Sequence, residues 1–431
     1  MIAEPLNLGQ NQIMQQKADI VVIGGGAIGI CCAYYLTEQG RHVTLVEKGD
    51  ICSGCSYGNA GLIVPSYSIP LAAPGVITKG LKWMFNPESP FYIKPRLHRD
   101  FLSWLWKFRG ACNEHHVQNV LPVLRDLSFE SLQLFDDIAE IDGTEFGYEK
   151  KGIVKIFKTH KGFEEGVKNS LLLQKNGIDT VVLDANALSE FSTGMKTSAA
   201  GGIFFPRDAH LIPEQFVDQL AGYLRKKGSR ILTSTEVIGL KTKAHRVTSV
   251  MTTRGDIAAD EVVLAGGSWS TQIARDLKIK LFIESAKGYS VTFKRPHQSP
   301  LIPFTMAEAS VVLTPMKDML RIAGTLELAG FDQSINRRRL QAILKAVSAY
   351  FPEFDYESLD LIEIWRGLRP CTPDGLPYLG RLPRYDNATI AAGHGMLGIS
   401  LAPITGKIVA QLIANETPAI DLTPLRVERF H

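Results

Sequence analysis

A continuous apolar run, Asp19-Ile-Val-Val-Ile23, breaks at once into Gly24-Gly-Gly26-Ala-Ile-Gly29. β-Branched residues without alternation predict a strand buried on both faces, as in a parallel sheet. Ile28 to Gln39 carries the spacing of a helix ending at Gly40, and Arg41-His-Val-Thr-Leu-Val46 predicts a second strand. Farther on, Gly152-Ile-Val-Lys-Ile-Phe157 and Met319-Leu-Arg-Ile-Ala323 alternate as half-buried strands do, while Leu121 to Ile141 and Arg337 to Tyr350 read as helices. The apolar stretch Ile20 to Leu36 is cut by its glycines and falls short of the ~20 residues of a membrane span.

The strand, glycine turn, helix and second strand make one chemical unit. Gly24 permits the tight turn, Gly26 lets backbone approach a pyrophosphate, and Gly29 lets the helix pack on the strand. The helix start, at Ala27 and Ile28, offers unpaired N–H groups and a positive dipole end to phosphate. Glu47 ends the second strand, eighteen residues after Gly29, where a carboxylate accepts hydrogen bonds from an adenosine ribose. That acid disfavours a 2′-phosphate; FAD and NAD both satisfy the unit.

Composition narrows the class. The 431 residues exceed one simple core, predicting about two domains. Hydrophobic residues at 45% and charged residues at 21% are ordinary for a globular enzyme. A net charge of +3, with both signs interleaved, leaves no basic stripe for nucleic acid. Six cysteines are too few for a disulfide framework, and Cys52-x-x-Cys55 lacks the second pair a zinc site needs. Residues 1–17 are polar, without a signal-peptide pattern, and read as a flexible lead-in. A cytoplasmic location is expected.

The next loop separates the two cofactors. Lys48-Gly-Asp-Ile-Cys-Ser53-Gly-Cys-Ser56-Tyr57-Gly-Asn59-Ala60-Gly61 is a second run of small residues, with Ser53 and Ser56 hydroxyls available to phosphate and ribityl oxygens. A plain NAD domain needs no such loop. Here the chain resembles the D-amino-acid dehydrogenase family, within the D-amino-acid oxidase, glycine oxidase and sarcosine oxidase group. The likeness runs from Ala18 to about Leu422. It is carried by Ser56–Gly61, Ala73-Pro-Gly-Val76, Leu81-Lys-Trp-Met-Phe85, Thr235-Glu-Val237 and Val263-Leu-Ala265-Gly266-Gly-Ser-Trp269-Ser270. Lys287-Gly-Tyr-Ser290, Gly324–Asp332, Trp365-Arg-Gly-Leu-Arg369-Pro370, Thr372–Pro377 and Gly393-His-Gly395-Met396-Leu397-Gly398 continue it in order.

The resemblance implies an α/β fold: a Rossmann-type FAD-binding domain interleaved with a substrate domain on a large, mostly antiparallel sheet. Residues 18–75, 205–285 and 355–431 would form the first, and residues 76–204 and 286–354 the second. It further implies that Tyr57 and Asn59 to Gly61 meet the flavin ring. Val237 would meet the adenine, and Ala265, Gly266 and Trp269 would form a second dinucleotide loop. Gly393, Gly395, Met396, Leu397 and Gly398 would close over the ring.

Flavin-dependent oxidation of an amino acid requires the substrate Cα–H to face flavin N5, so the protein supplies position and charge. A bidentate arginine suits the carboxylate. By the resemblance that residue is Arg369, with Arg366 a surface or interdomain cation. His210, in Pro206-Arg-Asp-Ala-His-Leu211, is a candidate proton acceptor for the amine. Two departures stand out. The glycine loop has Met396 and Leu397 where some oxidase relatives place a second arginine, and the strand near Val311–Leu313 lacks their tyrosine. A more apolar pocket with a single arginine anchor is therefore expected.

The expected reaction turns a small amino acid, most naturally a D-amino acid, into an imino acid. Oxidation of a cyclic amine such as a proline or hydroxyproline isomer, or a glycine or sarcosine oxidase reaction releasing peroxide, remains open. Reduced flavin needs an acceptor, which can be a quinone, a soluble carrier or oxygen. Gly80–Phe85 and Phe101–Phe108 mix aromatic, aliphatic and lysine residues. They suit either the core or peripheral contact with a membrane.

Overall fold

The computed structural model describes residues 16–84, 86, 88–191 and 195–430. Two large sheets organise it. In the first, strand β1 (Gln16–Ile23) pairs in parallel with β2 (Val43–Val46) and with Gly255–Leu264, which in turn pairs in parallel with Ala388–Ala392. The strand Arg230–Leu232 extends the edge beyond β2, and Val237–Lys243 with Arg246–Thr252 extends the other side. Helix α1 (Ala27–Glu38) buries Ile30, Cys31, Cys32, Ala33 and Leu36 against Ala402–Ile413 and Pro213–Lys226. The helix is apolar all round because it is enclosed between the sheet and these two helices. It approaches Ala402–Ile413 closely, since a Cβ on Gly406 would lie 2.4 Å from the Cys31 carbonyl oxygen.

The second sheet has nine strands and is mostly antiparallel. Its path runs Leu361–Cys371, Glu284–Lys294, Met319–Leu328, Val311–Met316, Phe304–Met306, Ile153–Phe157, Gly201–Phe205 and Val181–Asp184. Phe304–Met306 pairs in parallel with Ile153–Phe157, and Phe91–Ile93 in parallel with Met319–Leu328. Helix Arg337–Tyr350 packs Leu340, Ile343 and Val347 onto one face. The other face looks toward the glycine-rich loops of the first sheet, and a cavity lies between.

Several sequence expectations shift. The long helix begins at Glu114, seven residues before Leu121, because the Asn113 side chain accepts from His116 N and caps it there. Pro122 lies inside this helix without ending it. The segment from 355 was expected wholly with the cofactor domain. Instead Leu361–Cys371 pairs along its length with Glu284–Lys294, which makes it a strand of the nine-stranded sheet. Of the aromatic stretches, Phe101, Trp104 and Phe108 are core, whereas Leu102 and Trp106 are exposed. Phe85 and residues 1–15 of the expected lead-in lie outside the described residues, and β1 already starts at Gln16.

Candidate active site

One continuous cavity of about 850 Å³ runs from the carboxyl end of β1 to the face of the nine-stranded sheet. At its first end the glycines act separately. Gly24 sits at φ +115°, and a Cβ there would lie 2.5 Å from the Ala265 carbonyl oxygen. On Gly29 a Cβ would meet the Gly24 oxygen at 1.8 Å, so only glycine lets α1 sit this close to the turn. Gly26 lines the cavity, and a Cβ there would meet only Ser56 Oγ, at 3.1 Å. Space in front of Gly26 is thus left open toward the N-terminus of α1, which has no cap from Gly26 itself.

The Glu47 carboxylate is fixed by two backbone donors, Gly25 N at 2.7 Å and Gly49 N at 2.9 Å. Ser56 Oγ accepts from Ala27 N at 3.0 Å, which ties the second glycine-rich loop to the helix start. Lys48 Nζ lies 3.3 Å from the centroid of the Trp269 ring, and burial lowers the lysine's pKa. Ala27, Ile28, Ser53, Val237, Ala265 and Gly266 share this wall. A helix N-terminus with no cap from Gly26 itself, a glycine-lined approach and a carboxylate held for a ribose fit an adenine dinucleotide.

At the far end, Asn59 and Ala60 line the cavity and three carbonyls of their loop are held from the nine-stranded sheet. Arg321 Nη1 donates to the Tyr57 and Asn59 oxygens, each at 3.1 Å, and Thr314 Oγ1 donates to Ala60 O at 2.9 Å. The Arg321 side chain has no exposed surface; Glu214 pairs with it at 2.9 Å and Glu363 at 3.4 Å. Tyr57 contributes its carbonyl to this loop, not a cavity wall. Gly61 takes φ +71° where a Cβ would strike the Leu211 oxygen at 2.1 Å. The C-terminal loop brings Gly395, Met396, Leu397 and Gly398 to the cavity, and Gly395 N donates to Pro370 O at 2.8 Å. Gly393, at φ +83°, stands behind it. Burial presses His394 down to about 3, and its Nε2 lies 3.0 Å from Thr405 Oγ1, so the ring is neutral and positions the loop.

Arg369 projects from Leu361–Cys371 across Gly288, where a Cβ would lie 2.1 Å from Nη1. Nη1 donates to Thr325 O at 2.7 Å. Thr325 is a β-branched residue at φ +67° in mid-strand, a strained conformation that the carbonyl contact accompanies. Among the described residues no carboxylate pairs with Arg369; burial lowers its pKa, with the Cys371 and Cys55 thiols opposing. Arginine stays charged under such pressure. Behind it, Glu327 is consumed by Arg339 Nε at 3.2 Å and by Tyr289 Oη at 3.0 Å, with Lys287 Nζ at 3.6 Å. The Arg369 guanidinium is therefore a cation facing the cavity and free to bind an anion.

Two expectations change. His210 does not enter the pocket. It pairs with Leu62 in a short two-stranded ladder, bridges to Glu149, and is buried outside the cavity wall. Burial pushes its pKa down to about 4. Arg366 donates to Gln333 O at 2.6 Å and Oε1 at 2.8 Å and stands at the cavity edge. Sequence reasoning missed Arg321 and Gly288. An arginine in an alternating strand reads as solvent-facing, and only the cross-strand register reveals what covers it.

The family model described as FAD dependent oxidoreductase matches residues 19–412. The chain is 31% identical to a D-amino acid dehydrogenase of Vibrio atlanticus, covering 96% of this chain and 100% of that protein. Identity is 32% to a D-amino acid dehydrogenase of Helicobacter pylori, over 94% and 97%. In fold it is similar to glycine oxidase from Geobacillus kaustophilus (TM-score 0.78, 24% identity, 96% and 99% covered). It is also similar to L-proline dehydrogenase from P. horikoshii (TM-score 0.75, 21% identity, 97% and 98% covered). With this match over most of its length, and a cavity whose donors fit the cofactor, the chain belongs to the FAD-dependent oxidoreductase family and is an FAD enzyme.

Proposed function

We propose that this protein dehydrogenates the Cα–N bond of a small D-amino acid, with Arg369 as the carboxylate anchor. The observation that carries the reading is the Arg369 guanidinium itself, unpaired with any carboxylate of the described residues and turned to the cavity. The names of the full-length relatives support the D-configured substrate. In this reading Gly24, Gly26, Gly29 and the start of α1 hold the pyrophosphate, Glu47 the ribose, and the loops at Ser56–Gly61 and Gly393–Gly398 the ring.

FAD supplies the hydride acceptor. The chain's residues bind and orient. Arg369 takes the carboxylate in a charge-assisted pair, and the apolar wall of Val312 and Ala323 sets the Cα–H direction and excludes water. As hydride leaves Cα, the amine lone pair forms C=N, and the nitrogen's extra proton goes to solvent. The amine reacts neutral because its lone pair must be free to form C=N; among the described lining residues no carboxylate stands beside Arg369. Water then hydrolyses the imino acid to a keto acid and ammonia.

The electrons pass to a quinone or a soluble carrier in this account. Among the described residues no helix is long and apolar enough to cross a membrane. Exposed apolar residues with a neighbouring cation, Leu81 (56% exposed) next to Lys82 and Trp106 (72% exposed) under Arg109, suit peripheral contact near a quinone. Flotation with anionic vesicles tests this, and protein remaining at the bottom of the gradient removes it. Arg369→Ala tests the anchor: kcat/KM should fall about 100-fold or more with FAD still bound. Unchanged kinetics would overturn the assignment.

A further inference from the structure

Across the nine-stranded sheet the register places Ala323, Val312, Thr305 and Lys155 in one lateral row on four neighbouring strands. All four line the cavity. Three inter-strand steps put the Lys155 backbone roughly 14 Å from that of Ala323. Arg369 holds the near end through Thr325 O, and Lys155 stands at the distal end beside Tyr67. Its Nζ lies 5.8 Å from the Tyr67 ring centroid, and among the described residues neither a hydrogen bond nor an ion pair takes it.

The acid whose charge acts on Lys155, Glu308, is already used. It accepts from Lys158 N and Thr159 N at 3.1 Å, and Tyr350 Oη donates to it at 2.5 Å. Lys79, on the helix Val76–Met84, adds further positive charge nearby, and desolvation lowers the Lys155 pKa against the pull of Glu308. At this end of the cavity the described lining residues include Lys155, Arg366 and Arg369 and no carboxylate; the acids Glu47, Glu236 and Asp276 lie at the adenine end. A zwitterion with a neutral side chain would neutralise Arg369 through its carboxylate and leave the Lys155 cation desolvated and unpaired.

We propose that Lys155 is a specificity-determining residue that pairs with an anionic group at the end of the substrate's side chain, so that the preferred substrate class is dicarboxylic amino acids. The inference rests on Arg369 as the α-carboxylate anchor. The Arg369 and Lys155 side chains both reach into the cavity, so the gap between their charges is shorter than the roughly 14 Å backbone span, and a dicarboxylic amino acid with a hydrogen bond at each end fills it. Thr305 Oγ1, which accepts from Tyr67 Oη at 3.2 Å, keeps the phenol beside Lys155.

The test has two arms on the FAD-loaded protein. In binding, glutarate and pentanoate are titrated by calorimetry, since the two differ by the second carboxylate. Wild-type protein should bind glutarate about 10–100-fold more tightly. Lys155→Met should remove that advantage, with pentanoate bound as tightly as before or more tightly because no unpaired cation is left beside it, and Lys155→Arg should restore part of it. In turnover, kcat/KM for D-glutamate should fall by a similar factor in Lys155→Met, whereas that for D-norvaline should hold or rise. Equal affinity of the wild type for both acids, or an equal loss of both in Lys155→Met, overturns the proposal. Reduction of the flavin by D-norvaline but not D-glutamate also overturns it while leaving amino-acid oxidation standing. If no amino acid reduces the flavin, the oxidation reading fails, and the binding arm alone decides Lys155.

Discussion

A Cβ at position 288 would lie 2.1 Å from Arg369 Nη1 and 2.4 Å from its Cζ and Nη2. Gly288 is not in the left-handed region, so alanine meets no backbone penalty there. What must yield is the end of a flexible side chain. Folding stability should therefore change by less than about 1 kcal/mol. The guanidinium, however, leaves Thr325 O, now at 2.7 Å, and with it the position from which it meets a carboxylate. Loss of one charge-assisted hydrogen bond costs about 1.5–3 kcal/mol, which is roughly 10–150-fold in kcat/KM. The loss should fall mainly on KM, because the carboxylate is bound alike in ground and transition states. Steady-state kinetics with an artificial electron acceptor, alongside FAD content and thermal melting, separates these effects. Unaltered KM in Gly288→Ala with full FAD content would refute the placement of the substrate carboxylate at Arg369.

Further expectations concern the cofactor loops and pH. Arg321→Met leaves Glu214, Glu363 and the loop carbonyls unpaired; both acids are partly exposed, so the loss should be about 3 kcal/mol, read from chemical unfolding, with weaker FAD retention. An unchanged midpoint would remove Arg321 as the strap of the ring loop. Gly26→Val should fold, since only Ser56 Oγ is near, yet carry no FAD; a flavin spectrum in that variant would contradict the phosphate site. Burial raises Asp208 from 3.8 to about 7, so its stabilising contribution is complete below pH 3.8 and lost as pH rises through about 7. Asp208→Asn should therefore gain in melting temperature relative to the wild type as pH rises from 3.8 to about 7 and level off above it, and a constant difference would refute the shift. His210 and His394 have the opposite sense: their folded pKa values are depressed from 6.5, so their stability is present above 6.5 and lost as pH falls toward 4 and 3.

Local chemistry made the dinucleotide end legible. Gly24, Gly26, Gly29 and Glu47 each answer to a contact within one strand-turn-helix-strand unit, and the predicted α1 differs by one residue at each end. Arg369 was reachable through resemblance, because its role depends on a motif rather than on periodicity. Lys155, Gly288 and Arg321 were not. Alternation tells which residues share a face, but Lys155 and Arg321 acquire meaning only when the register sets them opposite Thr305 and Thr292. His210 failed for the same reason. A histidine before a helix looks available, yet its pairing with Leu62 turns it into core. The segment from 355 was expected with the cofactor domain, and the pairing of Leu361–Cys371 with Glu284–Lys294, far apart in the chain, leaves no local signature.

The most direct test of the account is anaerobic mixing of the FAD-loaded protein with paired D- and L-amino acids, glycine, sarcosine, proline and hydroxyproline isomers, followed at the flavin's visible absorbance. The account predicts rapid bleaching by D-amino acids, lost on Arg369→Ala with the flavin still bound. A flavin that stays oxidised against every member of the panel would contradict amino-acid dehydrogenation while leaving the FAD fold in place.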